Sequence, residues 1–251
     1  MAQQRLDRII ASTGRYSRRE AKQLVREGRV LVDGHIAASA EDKCDPLTAR
    51  ITVNGEELGY REHTYVMLHK PAGVLSATED GRGRTVLDLL APEYRRLGLF
   101  PVGRLDKDTE GLLLLTDDGA LAHDLLAPKK HVDKVYFVRT EGALAPEDCA
   151  AFAAGMTLGD GLKCLPAGLE ILKSGERSEA LVTLREGKFH QIKRMLAARG
   201  KPVAYLKRLS MGPLTLDASL AAGEYRLLTE EELAALRGAW QIAQGENGGE
   251  A

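Results

Sequence analysis

Residues 99–119 read LFPVGRLDKDTEGLLLLTDDG. Two apolar segments, 99–102 and 112–116, enclose a polar loop from Gly103 to Gly111, and Asp117-Asp118-Gly119 closes the second segment with a turn. The apolar runs predict buried strands. A polar loop between such strands is usually a solvated turn. This one is longer than a tight hairpin connection and mixes Asp106, Asp108 and Glu110 with Arg104 and Lys107. A rigid scaffold can aim the side chains of such a loop. A carboxylate beside cations stays ionised at neutral pH, so Asp106 or Asp108 could act as nucleophile or base.

Outward from this stretch, strands alternate with helices. Residues 65–69 predict a strand that ends at Lys70-Pro71, and Thr85 caps a short helix through Leu90. After the central stretch, a helix runs to Ala127, and residues 134–140, 168–172 and 179–185 read as strands. Residues 189–199 read as a helix stopped by Gly200. Thr229 with Glu232 caps a last helix with apolar positions Leu233, Leu236 and Trp240, and a disordered tail is expected over 245–251.

The first sixty residues have a different texture. Leu6, Ile9 and Ile10 fall on one helical face that ends at Gly14. Ser17-Arg18-Arg19-Glu20 is a capping box for a second helix, with Ala21, Leu24 and Val25 inward and Gly28 as its stop. Residues 29–32 with Asp33-Gly34, and 51–53 with Asn54-Gly55, predict two tight hairpins. Polar residues 55–64 mark a boundary.

Composition sets the limits. The chain has 251 residues, 44% hydrophobic and 28% charged, with a formal net charge of −1. That is an ordinary globular composition, at a length where two domains are expected. The small net charge hides segregation. Residues 1–34 carry eight Lys/Arg against four acids, and residues 182–209 carry eight against the single Glu186. Two basic surfaces are therefore expected. No apolar run approaches membrane-spanning length, and the N-terminus lacks a signal-peptide core. The three cysteines, Cys44, Cys149 and Cys164, form no C-x-x-C pair. The six histidines lack metal-ligand spacing, and Gly81-Arg82-Gly83 lacks the third glycine of a dinucleotide fingerprint. A cytoplasmic protein without metal or cofactor fits best.

The motifs together resemble the bacterial ribosomal-RNA pseudouridine synthases, in the group containing the small-subunit rRNA enzyme. GRLDKDTEGLLLLTDDG is similar to their central motif, and residues 68–73 (LHKPAG) to their first, which often has Asn where His69 stands. Lys134-Val135-Tyr136 matches a Lys-x-Tyr motif, and residues 186–195 (EGKFHQIKRM) match the last. Residues 5–50 resemble the small RNA-binding domain named after ribosomal protein S4. The resemblance implies that Asp106 is the catalytic aspartate and that Tyr136 lies against the target base. It also implies that Lys193 pairs with the aspartate, while Asp108 and the Thr109 hydroxyl support the loop. Arg104 would hold the RNA and, with Lys193, the charge of Asp106. Arg5, Arg15, Ser17, Arg18, Arg19, Lys22, Arg29 and Arg194 are the remaining expected RNA contacts. Without the resemblance, Tyr136 reads as a core aromatic and Lys193-Arg194 as a solvated helix face.

The expected architecture is α+β. A small N-terminal α/β S4-like domain (1–60) precedes a catalytic domain (61–244) built on a mixed, mainly antiparallel sheet with flanking helices. The expected partner is ribosomal RNA in a small-subunit assembly intermediate, bound by a monomer. The alternatives are a large-subunit rRNA synthase, a non-catalytic RNA-binding protein, and a glycosidic hydrolase using paired carboxylates.

Overall fold

The two helices and paired hairpins expected at the N-terminus form around one small core in the computed structural model, which describes residues 3–127 and 132–245. Helices Leu6–Ala11 and Arg18–Arg26 bury Leu6, Ile9, Ile10, Ala21, Leu24 and Val25 against Val30, Ile51 and Val53. The capping box is formed. Ser17 Oγ accepts from the Glu20 N–H at 3.2 Å, and Glu20 Oε2 accepts from the Ser17 N–H at 2.6 Å. Strands His35–Ile36, Val30–Val32, Ile51–Val53 and Glu56–Glu57 pair in that order. Both tight turns require the left-handed region at two successive residues, with φ +51° and +82° at Asp33-Gly34 and +56° and +81° at Asn54-Gly55. That is the twist-matching turn of a two-residue hairpin.

The chain divides into two units, Met1–Thr64 with Leu90–Leu99, and Tyr65–Leu89 with Phe100–Ala251. The first unit thus takes back a later excursion, in which helix Pro92–Arg95 lies. Gly14, at φ +73°, permits this closure, because a Cβ there would stand 2.1 Å from the Glu93 carbonyl oxygen.

The second unit is built on a nine-stranded sheet among the described residues. Its main path runs Gly168–Lys173, Arg177–Leu184, Lys134–Glu141, Val203–Met211, Glu110–Thr116, Tyr65–Lys70 and Tyr225–Leu227. All neighbours are antiparallel except Val203–Met211 and Glu110–Thr116, which run parallel with Lys207 opposite Glu110 and Arg208 opposite Gly111. Every residue of Tyr65–Lys70 is buried, as is Glu110–Thr116 after its first residue, so both central strands are covered on both faces. Strands Lys134–Glu141 and Arg177–Leu184 alternate buried and more exposed positions. Val102, Leu112, Leu114, Leu121, Leu125 and Met211 share one core cluster.

Several local expectations shift. The segment after Thr85 is a 3-10 turn, Val86–Leu89, whose Asp88 carboxylate receives the Thr85 N–H and hydroxyl at 2.8 and 3.2 Å. The strand expected at 99–102 contracts to Phe100–Pro101. The helix expected at 189–199 spans Gln191–Ala198, because His190 at φ +50° breaks the helical path. Strand Val203–Met211 and helix Pro146–Ala154 have no counterpart in the sequence reading. The last helix spans Glu230–Gly245. The expected tail lies, from residue 246, outside the described residues, as does the Trp240 side chain.

Candidate active site

The loop between Gly103 and Gly111 is fixed by buried groups from the segment that precedes it. Lys70 is fully buried, and its Nζ donates to the carbonyls of Pro71 (2.9 Å), Lys107 (3.3 Å) and Thr109 (2.8 Å). Burial depresses its pKa to about 8, against the opposing pull of Asp108, Asp106 and Glu110. The Gly73 N–H adds a bond to the Lys107 carbonyl at 2.7 Å. Ser76 Oγ donates to the Leu105 carbonyl at 2.9 Å and accepts from the Leu105 N–H at 3.1 Å. The loop therefore keeps one backbone shape on either side of Asp106. The exit is equally constrained. Gly111 has φ +107°, and a Cβ there would stand 2.2 Å from the Arg208 carbonyl oxygen.

Helix Gln191–Ala198 delivers the counter-charge. Lys193 Nζ lies 2.8 Å from Asp106 Oδ2 and 2.5 Å from Asp108 Oδ1. Burial works against the Lys193 ammonium, but the hydrogen bonds to Asp106 and Asp108 outweigh it and raise its pKa. The Lys193 hydrogen bond holds the Asp108 carboxyl below its usual range. The two carboxylates are not equivalent. The Asp106 side chain is 26% exposed and faces a pocket, whereas Asp108 is 74% exposed and does not line it. Tyr136, from Lys134–Glu141, is buried and forms one wall, with Leu184, Ile192 and Leu206 adding apolar surface. His190 Nε2 is 3.5 Å from Asp106 Oδ1 on the same pocket.

Three expected contacts differ. Arg104 lines the pocket and is exposed, but it forms no ion pair among the described residues, so Lys193 alone of the two expected cations holds Asp106. The Thr109 hydroxyl is buried without a hydrogen-bond partner among the described residues, and its backbone N–H, bonded to the Asp106 carbonyl at 3.1 Å, supports the loop instead. Arg194 pairs with Asp160 Oδ2 at 2.5 Å and does not line the pocket.

The N-terminal unit carries its own concave basic face. Arg5, Arg18, Arg19 and Lys22 line it, together with Arg26, which the sequence reading counted but did not single out. Fully buried Asp7 receives Arg5 Nη2 at 3.0 Å and Arg18 Nη2 at 3.1 Å. Burial pushes the Asp7 carboxyl up, and the hydrogen bonds from Arg5 and Arg18 overcome it, leaving the pKa lowered. Arg15 and Arg29 lie off this face, paired with Glu56 at 3.2 Å and with Glu27 at 3.0 Å. The Ser17 hydroxyl oxygen is engaged in the capping box.

A carboxylate beside a cation in an aromatic-walled pocket suits attack on, or proton removal from, a sugar whose base has been swung out of its stack. Residues 64–198 match the RNA pseudouridylate synthase family, and residues 4–46 match the S4 domain. The chain belongs to the RNA pseudouridine synthases. It is 52% identical to an uncharacterized RNA pseudouridine synthase of Bacillus subtilis, YtzG, over 91% of this chain and 96% of the relative. Ribosomal small subunit pseudouridine synthase A of Vibrio cholerae and that of Escherichia coli are each 40% identical, over 92% of this chain and 99% of theirs. A crystal structure of a pseudouridylate synthase shares 37% identity with a TM-score of 0.64, covering 92% of this chain and 99% of that one.

Sequence reasoning about this pseudouridine synthase missed the supports of its loop. Lys70 lies inside the LHKPAG segment, where a lysine before proline reads only as a strand end. Ser76 gave no signal in the sequence. Glu186 was also passed over. Its Oε1 accepts from the Leu165 N–H at 2.9 Å and from Gln191 Nε2 at 2.6 Å, while Lys188 Nζ pairs with Oε2 at 2.9 Å. It therefore anchors the segment that presents His190 and Lys193.

Proposed function

We propose that this pseudouridine synthase isomerises a specific uridine of small-subunit ribosomal RNA, with Asp106 as the catalytic carboxylate, Tyr136 against the target base and Lys193 holding the carboxylate's charge. The carrying observation is the 2.8 Å Lys193–Asp106 ion pair in a pocket that Tyr136 also lines. The isomerisation breaks the C1′–N1 bond, turns the detached uracil and joins C1′ to C5, with the C5 proton passing to solvent. No electrons or groups are exchanged with a second reactant, so the proposal includes no cofactor. Addition of Asp106 to the ribose and removal of the 2′ proton are the two available routes, and both use its ionised form. The target base must leave its stack to reach the pocket.

The choice of small-subunit RNA is supported by the similarity to the Vibrio and Escherichia ribosomal small subunit pseudouridine synthases and by the form His190-Gln191-Ile192-Lys193 at the helix start. The proposed substrate particle is a small-subunit assembly intermediate in the cytoplasm, engaged by a monomer through the basic face of Arg5, Arg18, Arg19 and Lys22. Mapping pseudouridines in rRNA from cells with and without this protein tests the reading. One small-subunit site should disappear. Loss of a large-subunit site would reassign the substrate, and no loss would refute the enzymatic assignment to rRNA. Release of free uracil from the purified reaction would mark a hydrolase instead.

A further inference from the structure

Among the described residues Phe189 is the most exposed large apolar side chain, at 74%, and it stands next to the pocket residues Lys188 and His190. A single exposed apolar side chain is ordinary on a protein surface, but an aromatic ring beside a candidate site offers a flat face on which a base can stack. Its ring is held rather than loose. It stacks on the His190 ring at 3.8 Å between centroids and 18° between planes. His190 is in turn fixed by its left-handed backbone at φ +50°, a conformation that non-glycine residues adopt rarely and often at functional sites. Its Nε2 sits 3.5 Å from Asp106 Oδ1. A parallel stack thus leads from the rim of the pocket to the carboxylate.

The surroundings select the occupant. Of the cations in residues 182–209, Arg185, Arg194 and Arg199 are taken up by Asp133, Asp160 and Asp148, so the charge near the ring is that of the pocket itself. Lys188, paired with Glu186, precedes the ring, and exposed Arg104, which forms no ion pair among the described residues, lines the same pocket. A cation-flanked, exposed aromatic is the arrangement on which an unpaired nucleic-acid base stacks while phosphates meet the cations. An apolar protein partner would leave the exposed Arg104 guanidinium on the same pocket without a counter-charge. The pocket's own Tyr136 is buried and serves the extruded base, so Phe189 is left for the next one along the strand.

We infer that Phe189 is the stacking platform for the unpaired base adjoining the target uridine, so that the substrate is recognised with two nucleotides out of regular helix. This rests on the proposed assignment of the Asp106 pocket as the place where the uridine reacts. Phe189 is a binding residue here and does not touch the reacting atoms.

The test uses the full chain and synthetic RNA fragments spanning the mapped uridine, with 2-aminopurine on its 5′ or 3′ side. Wild-type protein and Phe189→Tyr should change the fluorescence of one of the two RNAs on binding, and Phe189→Ala should not. Phe189→Ala should lower kcat/KM about tenfold or more, chiefly through KM, with an unchanged melting curve. Replacing the flanking base by an abasic site should cost the wild type a similar factor and cost Phe189→Ala almost nothing further. Unchanged kcat/KM in Phe189→Ala, or additive effects of variant and abasic RNA, would overturn the platform while leaving the Asp106 reading intact. If the wild type fails to convert the uridine, the Asp106 reading falls, and the platform stands or falls on the Phe189-dependent fluorescence alone.

Discussion

Substituting Lys70 by methionine separates stability from loop position, because this one buried ammonium serves both. Its pKa is lowered from 10.5 to about 8, chiefly by burial, which corresponds to roughly 3 kcal/mol disfavouring the charged form in the fold. Lys70→Met removes that cost but takes a donor from three carbonyls. The Lys107 carbonyl keeps the Gly73 N–H. The Pro71 and Thr109 carbonyls lose the Lys70 bond, at about 1–3 kcal/mol each if left bare. The net loss at pH 7 should therefore be small, between about −1 (a slight gain) and 3 kcal/mol. The pH dependence has a definite sign. Below pH 8 the folded and unfolded chains both hold this proton and the cost is fully present. Between pH 8 and 10.5 the unfolded chain holds it while the folded chain has released it, so this group makes wild-type stability rise with pH. Lys70→Met should lack that rise. Activity should suffer more than stability, since a displacement of about 1 Å in a catalytic group can cost about a hundredfold. Chemical denaturation at pH 7 and 9.5, with single-turnover tritium release from C5-labelled uridine, measures both. A folded Lys70→Met protein within twofold of wild-type rate would refute the view that Lys70 positions the loop.

Asp106→Asn should abolish single-turnover conversion with folding intact and RNA affinity equal or higher, because a negative charge leaves a phosphate-facing cleft. Asp108→Asn should retain measurable turnover, given its exposure outside the pocket; the reverse ranking would show that the wrong carboxylate has been named. Gly111→Ala should destabilise the second unit by more than about 3 kcal/mol in thermal or chemical denaturation, since both the φ of +107° and the 2.2 Å approach to the Arg208 carbonyl forbid a Cβ; a wild-type melt would contradict this. Arg19→Ala and Arg26→Ala should each weaken RNA binding and reduce the magnitude of its salt slope by about one, whereas Arg15→Ala, off the concave face, should not; equal slopes for all three would show that this face is not the anchor.

The sequence disclosed the fold where periodicity and turn chemistry agreed. Ser17 with Glu20, Asp33-Gly34 and Asn54-Gly55 are local signals with one structural meaning each, and each forms as expected. Leu112 to Leu115 announced a strand because it is covered on both faces. Strand Val203–Met211 escaped because Lys207, Arg208 and Ser210 erase its alternation. Arg208 is nonetheless 2% exposed, its stem inside the sheet and its Nε bonded to the Leu112 carbonyl at 2.7 Å. Residue type misleads in the same way at Lys70, a surface-type side chain with no exposed area. The excursion Leu90–Leu99 into the first unit was invisible for another reason, since its contact with Gly14 is long-range. It bears on any truncation. Removing residues 1–60 also strips Leu90–Leu99 of its packing, so such a variant tests more than the loss of RNA contacts.

The site has the same division. The groups proposed to react lie in short, recognisable strings, whereas the groups that fix them come from distant positions. Asp106 is held between Leu105, clamped twice by Ser76, and the Lys107 and Thr109 carbonyls gathered by Lys70. Its counter-charge arrives from Lys193, 87 positions later, on a helix whose start is anchored through Gln191 and Glu186. The parallel register of Lys207 with Glu110 and Arg208 with Gly111 brings the later half of the sheet alongside the loop's exit. A carboxylate that acts on a swung-out nucleotide gains from being aimed before the substrate arrives, because reorganisation during the reaction would add to the barrier. Buried backbone bonds from Lys70 and Ser76 can supply that aim without placing further charge in the pocket. They therefore sit beneath the loop, where a motif names the residue type but only the fold reveals the work it does.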